Sequence, residues 1–152
     1  MFEALSNKWQ QTCGRPLTNE NSYYLACKAF QENGIDPNEV NCRMLSLAQF
    51  KRDYLPNSKH TFWEWFHSMM VLTKEHLESI WKEGYVIGFI SRLSANTLLE
   101  ESPEGTFLLR FSDSVLGGIT IGSRLSKSCK FIFSAISILI TLIWPIKESK
   151  IA

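Results

Sequence analysis

A chain of 152 residues, 45% hydrophobic and 20% charged, has the material for one domain, or for one small domain beside an incomplete neighbour. Its net charge of +1 is uneven: residues 123–152 carry five basic groups against Glu148, a net of +4, which leaves about −3 on residues 1–122. With no basic run in that larger part, the balance argues against direct DNA binding by this chain. The four cysteines (Cys13, Cys27, Cys42, Cys129) form no Cys-x-x-Cys pair, and His60, His67 and His76 lack zinc-ligand spacing with them. Reduced thiols are expected, with no metal and no cofactor. There is no Asn-x-Ser/Thr acceptor and no basic-then-apolar leader at the N-terminus, which points to cytosol or nucleus.

In chain order, Phe2, Leu5 and Trp9 are spaced three and four apart, as one buried face of a short helix over 2–10. After a loop with Gly14 and Pro16, Asn21 is a candidate cap for a second helix to about Gln31, stopped by Asn33-Gly34. Asp36-Pro37-Asn38-Glu39 has the form of a capping-box start with proline in the first turn. Leu45, Leu47, Phe50 and Tyr54 suggest a further amphipathic helix ending before Pro56. Thr61-Phe62-Trp63-Glu64 is a capping box for the longest helix, expected to reach Glu83 with Gly84 as its left-handed stop. Phe62, Phe66, Met69, Thr73, Leu77 and Ile80 line its buried face, widened by Trp63, Met70 and Trp81, and the spacing explains this cluster as core. Tyr85 to Ile90 reads as a strand, and Ser91 as the cap of a helix to Glu100.

The stretch Gly105 to Ile121 reads as strand, polar turn, strand. Period-2 alternation puts Phe107, Leu109 and Phe111 on one face and Leu108 and Arg110 on the other. An arginine on an apolar strand is costly to bury without an anion. Ser112, Asp113 and Ser114 follow at once, and a guanidinium fork beside short hydroxyls and turn N–H groups suits a phosphate. The plainer alternative is an edge strand with a solvated arginine.

Gly105-Thr-Phe-Leu-Leu-Arg110-Phe-Ser-Asp-Ser114, followed by Gly117-Gly-Ile-Thr120, resembles the phosphotyrosine-binding strand and loop of SH2 domains. It is most similar to the form found in the signal transducer and activator of transcription (STAT) family. The resemblance extends upstream through Phe62-Trp-Glu-Trp-Phe66, Leu77-x-x-x-Trp81-x-x-Gly-Tyr85-x-x-Gly-Phe-Ile-Ser91 and Phe2-Glu-Ala-Leu-Ser-Asn-Lys-Trp9, which look like the family's helical linker. It covers residues 2–121.

The fold class so implied is mainly α with a small α+β part: an all-helical linker over 1–84, the N-terminal half of an SH2 domain over 85–121 (a helix plus two to three antiparallel strands), and a tail over 122–152 outside the family pattern. The resemblance implies that Arg110 clasps a phosphate bidentately, with Ser112 and Ser114 completing the cradle. Arg92 stands where the family has a basic residue, usually lysine, sharing the phosphotyrosine, and Asp113 is expected to orient a donor. Implied partners are phosphotyrosine-containing peptides or receptors, in signal transduction and transcription regulation, with cytoplasmic and nuclear localisation. An enzyme is not expected, since the chain has no Gly-x-x-x-x-Gly-Lys, Gly-x-Ser-x-Gly or His-Glu-x-x-His.

After Ile121 the resemblance breaks, and no tyrosine follows Tyr85, so family-type dimerisation through a phosphotyrosine tail is not expected. Three readings compete for the uncharged run of 16 residues from Phe131 to Ile146: sequence foreign to the domain, a short tail anchor flanked by basic residues, or an improvised strand or helix covering the sheet. The first of these is favoured, and membrane contact through 131–146 comes second to it. The functional alternatives are a truncated product with little binding activity, or a tail-anchored protein with a helical cytosolic head.

Overall fold

The computed structural model describes residues 1–125 and 128–134, with side chains described through Arg124. Helix α1 (Phe2–Cys13) buries Phe2, Leu5, Trp9 and Cys13 on one stripe and ends at Gly14, whose φ of 84° only glycine adopts without strain. Helix α2 (Asn19–Phe30) starts two residues before the expected cap: the Thr18 hydroxyl accepts from the Asn21 N–H at 3.2 Å, while the Asn21 side chain accepts from the Thr18 N–H at 3.4 Å. Asn21 is thus the inner half of a capping box rather than the cap.

The helix expected from Asp36 does not form. The Glu39 N–H donates to the Asp36 carbonyl at 2.8 Å and the Cys42 N–H to the Glu39 carbonyl at 3.0 Å, a run of turns. Only Ile35 and Val40 are anchored in the core there, five residues apart, which does not make a helical face. The next helix is also shorter than expected. Helix α3 (Leu47–Lys51) is one capped turn beginning at Ser46, with Leu47 and Tyr54 exposed rather than buried. Of the expected face, Leu45 and Phe50 are half-buried against the core, Phe50 with ring distances of 5.8 and 5.4 Å to Phe62 and Trp63.

The long helix runs as α4 (Phe62–Leu72), a π-helical turn (Thr73–Leu77) and α5 (Glu78–Lys82), with Gly84 at φ 85° beyond its end. Its Thr61–Glu64 capping box forms as the sequence implies. The Thr73 hydroxyl, buried at the junction, donates to the Met69 carbonyl at 2.8 Å. A wider turn there rotates the following residues, and both Leu72 and Leu77 end up in the core.

Strand β1 (Val86–Gly88), helix α6 (Arg92–Glu100), β2 (Phe107–Phe111), β3 (Ile119–Leu125) and β4 (Ser128–Ser134) follow. The sheet order is β1-β2-β3-β4, with β1 parallel to β2 and the other pairs antiparallel. The architecture is therefore mainly helical with a small sheet, three strands of it antiparallel. Where the resemblance stops at Ile121, the hydrogen-bond ladder does not. Leu108 pairs with Gly122, Phe107 with Ser123, and the Arg124 N–H donates to the Thr106 carbonyl at 2.8 Å. Strand β4 then pairs along β3 from Leu125↔Ser128 to Ile119↔Ser134. The start of the expected tail is thus built into the sheet. The rest of it, including 135–146 of the uncharged run, lies outside the described residues. Among the described residues no helix is long and apolar enough to cross a membrane.

The alternation in β2 holds. Leu108 packs with Ala95 and Leu99 of α6, while Leu109, Phe111 and Ile119 face the helices of the first 84 residues. At the centre sits Trp9, its ring 5.3 Å from Trp81, 5.0 Å from Phe89, 5.7 Å from Phe111 and 5.5 Å from Phe66. Each such pair adds about 0.5–1.5 kcal/mol beyond its buried area. One aromatic core therefore crosses the boundary expected at 84/85. Gly88 permits the approach: a Cβ there would lie 2.9 Å from the Trp81 ring, at a φ of 90°. Polar contacts close the junction. Asn21 donates to the carbonyls of Ile87 and Phe89 at 3.1 and 2.9 Å, and Arg15 donates to that of Val86 at 2.9 Å.

Candidate functional site

Arg110 lies mid-strand in β2, opposite Thr120, on the face toward α6, and is only 3% exposed. Its Nε donates to the Ile90 carbonyl at 3.0 Å, which fixes the plane of the guanidinium. Its Nη2 meets the Asp113 carboxylate. The anion that a buried arginine requires is thus supplied from three residues further along the chain. Burial, and then the positive charge of Arg92, lower the Arg110 pKa to about 10.

The loop after β2 folds on itself. The Ser112 N–H donates to the Gly118 carbonyl at 2.8 Å, and the Ser112 hydroxyl accepts from the Val115 N–H at 3.3 Å. Gly118 leaves room for this closure, since a Cβ there would lie 3.1–3.2 Å from Val115 and Ser112. The loop is also held by the helices beneath it. Trp65 Nε1 donates to the Ser112 carbonyl at 2.8 Å. The Ser68 hydroxyl accepts from the Gly117 N–H at 3.0 Å. Lys28 Nζ donates to the Asp113 carbonyl at 3.2 Å.

Asp113 is the hub of the charges. Besides Arg110, its carboxylate accepts from the Tyr24 hydroxyl, and Lys28 Nζ stands 3.8 Å from Oδ1. The Lys28 side chain is 16% exposed and that of Asp113 41%. Lys28 Nζ also lies 4.4 Å over the Trp65 ring, a cation–π contact. Burial, and then the charge of Arg110, lower the Lys28 pKa to about 8; burial raises that of Asp113 to about 6.

Of the residues expected from the sequence, Arg110, Ser112 and Asp113 are gathered in one place. Ser114 is exposed on the loop, and Arg92 is exposed in the first turn of α6, near enough for its charge to reach Arg110. The Ser112 hydroxyl is turned to the loop's own backbone. Sequence reasoning missed Tyr24, Lys28 and Trp65. Tyr24 and Lys28 are four apart and so share a helix face, the one signal that joins them. Nothing in the sequence says what that face meets 85 residues later. Among the described residues no group of three or more His, Cys, Asp and Glu could hold a metal ion.

Two segments of the chain match known families. Residues 1–66 match the family model of the signal transducer and activator of transcription linker domain, and residues 85–136 match that of the SH2 domain. The second match ends beyond Ile121, in keeping with the continued sheet. A signal transducer and transcription activator of Anopheles gambiae is 40% identical over 121 residues, which cover 80% of this chain and 17% of that protein. The chain thus spans about a sixth of the length of that curated relative. With a linker match and an SH2 match in one chain and a relative this similar, the chain belongs to the signal transducer and activator of transcription family.

Proposed function

We propose that this chain binds phosphotyrosine in peptides of signalling partners through the site around Arg110. One observation carries the reading: Arg110 is almost wholly buried, its Nε is tied to backbone, and its Nη2 meets a side chain of the adjoining loop, Asp113. A phosphate entering there would meet a guanidinium already oriented. Arg92 adds charge from the helix side, and Ser114 a hydroxyl at the rim. Ser112 serves through the loop closure it maintains. The recessed position of Arg110 favours the long phosphotyrosine side chain over phosphoserine.

Partners in this reading are phosphorylated receptors or peptides, and the setting is cytoplasmic and nuclear signalling that regulates transcription, as the family resemblance implies. Titration of the full chain with a phosphotyrosine peptide tests it. Binding should be lost in Arg110→Ala and strongly weakened in Arg110→Lys, which keeps the charge without the fork. Thermal melting of each variant separates loss of binding from loss of fold. Equal affinity in wild type and a folded Arg110→Ala variant sinks the reading.

A further inference from the structure

In the free protein the Nη2 of Arg110 is engaged by Asp113, so a phosphate can use that side of the fork only if the carboxylate yields. The Asp113 backbone is not free to follow, because Lys28 holds its carbonyl at 3.2 Å. The carboxylate has a second set of partners in place. The Tyr24 hydroxyl donates to Oδ1, and Lys28 Nζ stands 3.8 Å from the same oxygen. Tyr24 and Lys28 both lie on α2, in the linker, whereas Arg110 and Asp113 belong to the SH2 segment.

We propose that Lys28 and Tyr24 are positioning residues of the phosphate site: they take over the Asp113 carboxylate when a phosphate monoester displaces it from Arg110. The inference rests on the phosphotyrosine reading above and extends the site into the linker. Its electrostatic logic is direct. A carboxylate released from Arg110 and left unpaired would face the incoming dianion in a partly buried setting, where like charges repel strongly. Lys28 neutralises it there, and Arg110 is left for the phosphate. Linker and SH2 segment thereby share one exchange of counter-ions.

A double-mutant cycle with Lys28→Met and Asp113→Asn tests this, using the full chain and N-acetyl-phosphotyrosine amide as the probe. Methionine keeps an apolar stem against Trp65, and melting curves confirm the fold. Lys28→Met should weaken binding about tenfold when Asp113 is present and less than about twofold in the Asp113→Asn background. Lys28→Arg, which keeps the charge and can stack on Trp65, should retain most of the affinity. An equal loss from Lys28→Met in both backgrounds, or no loss in either, overturns the proposal while leaving the phosphotyrosine reading intact. Absence of binding by wild type sinks that reading and this proposal with it.

Discussion

Trp65 and Ser112 are 47 residues apart in sequence, yet the indole Nε1–H of one donates to the carbonyl of the other at 2.8 Å, in a buried position. A tryptophan on the linker's central helix therefore sets the height of the loop after Arg110. Replacing it with phenylalanine keeps much of the ring and removes the donor. Trp65→Phe should cost about 1–3 kcal/mol in urea unfolding, since the buried carbonyl loses its partner. Amide exchange at Gly117 and Gly118 should speed up as well. Unchanged stability and protection would show that the carbonyl is satisfied another way.

Asn21 joins the linker to the edge of β1 through two hydrogen bonds, at 3.1 and 2.9 Å, and is 1% exposed. Asn21→Leu leaves the buried Phe89 carbonyl and the half-buried Ile87 carbonyl without this donor and should lower stability by about 2–4 kcal/mol. Thr18→Val removes the cap of α2 alone and should cost only about 1 kcal/mol. Denaturant melts of the two variants compare the junction with the cap; equal losses would mean that the junction bonds contribute little.

Lys28 carries a pH signature. Its pKa falls from an ordinary 10.5 to about 8 in the folded protein, first through burial and then through the charge of Arg110. Between these values the unfolded chain holds a proton that the native state has shed, so native stability rises with pH across this window. Relative to Lys28→Met, wild type should gain at most about 3 kcal/mol between pH 8 and 10.5. Cys13, raised to about 11 chiefly by burial, is common to both proteins and cancels in the difference. A flat difference across the window would place the lysine in a wetter setting.

Thiol reactivity should follow burial. Cys42 is exposed, Cys27 intermediate and Cys13 buried, with its Sγ 3.6 Å from the Met70 carbonyl oxygen. Among these three, iodoacetamide at neutral pH should label Cys42 first and Cys13 only on unfolding, as peptide mass spectrometry would record. Rapid labelling of Cys13 in the native protein would contradict its place in the core.

Local signals in the sequence proved dependable where one short-range rule decided the outcome. The Thr61–Glu64 capping box, the stop at Gly84 and the two faces of β2 are all of this kind. The turns after Asp36 show the opposite case: a helix-start pattern without an apolar face behind it has nothing to bury and does not propagate. The continuation of β3 was hidden because Gly122-Ser-Arg-Leu125 has weak strand character of its own and is held by partners on both sides. At the site, Arg110 announced itself as a charge on an apolar strand. Its neighbours did not. Lys28 and Trp65 look like ordinary helix residues until the fold brings them to Asp113 and Ser112.

The ring cluster around Trp9 has a mechanical consequence. Because Trp81 on one side and Phe89 and Phe111 on the other lean on the same indole, there is no slip plane between the helices and the sheet. A tug on the loop beyond Arg110 is passed to α2 and α4 through the bonds from Lys28 and Trp65. Whatever docks at that loop is therefore held at a set angle to the helices, as a load on a rigid bracket rather than on a tether.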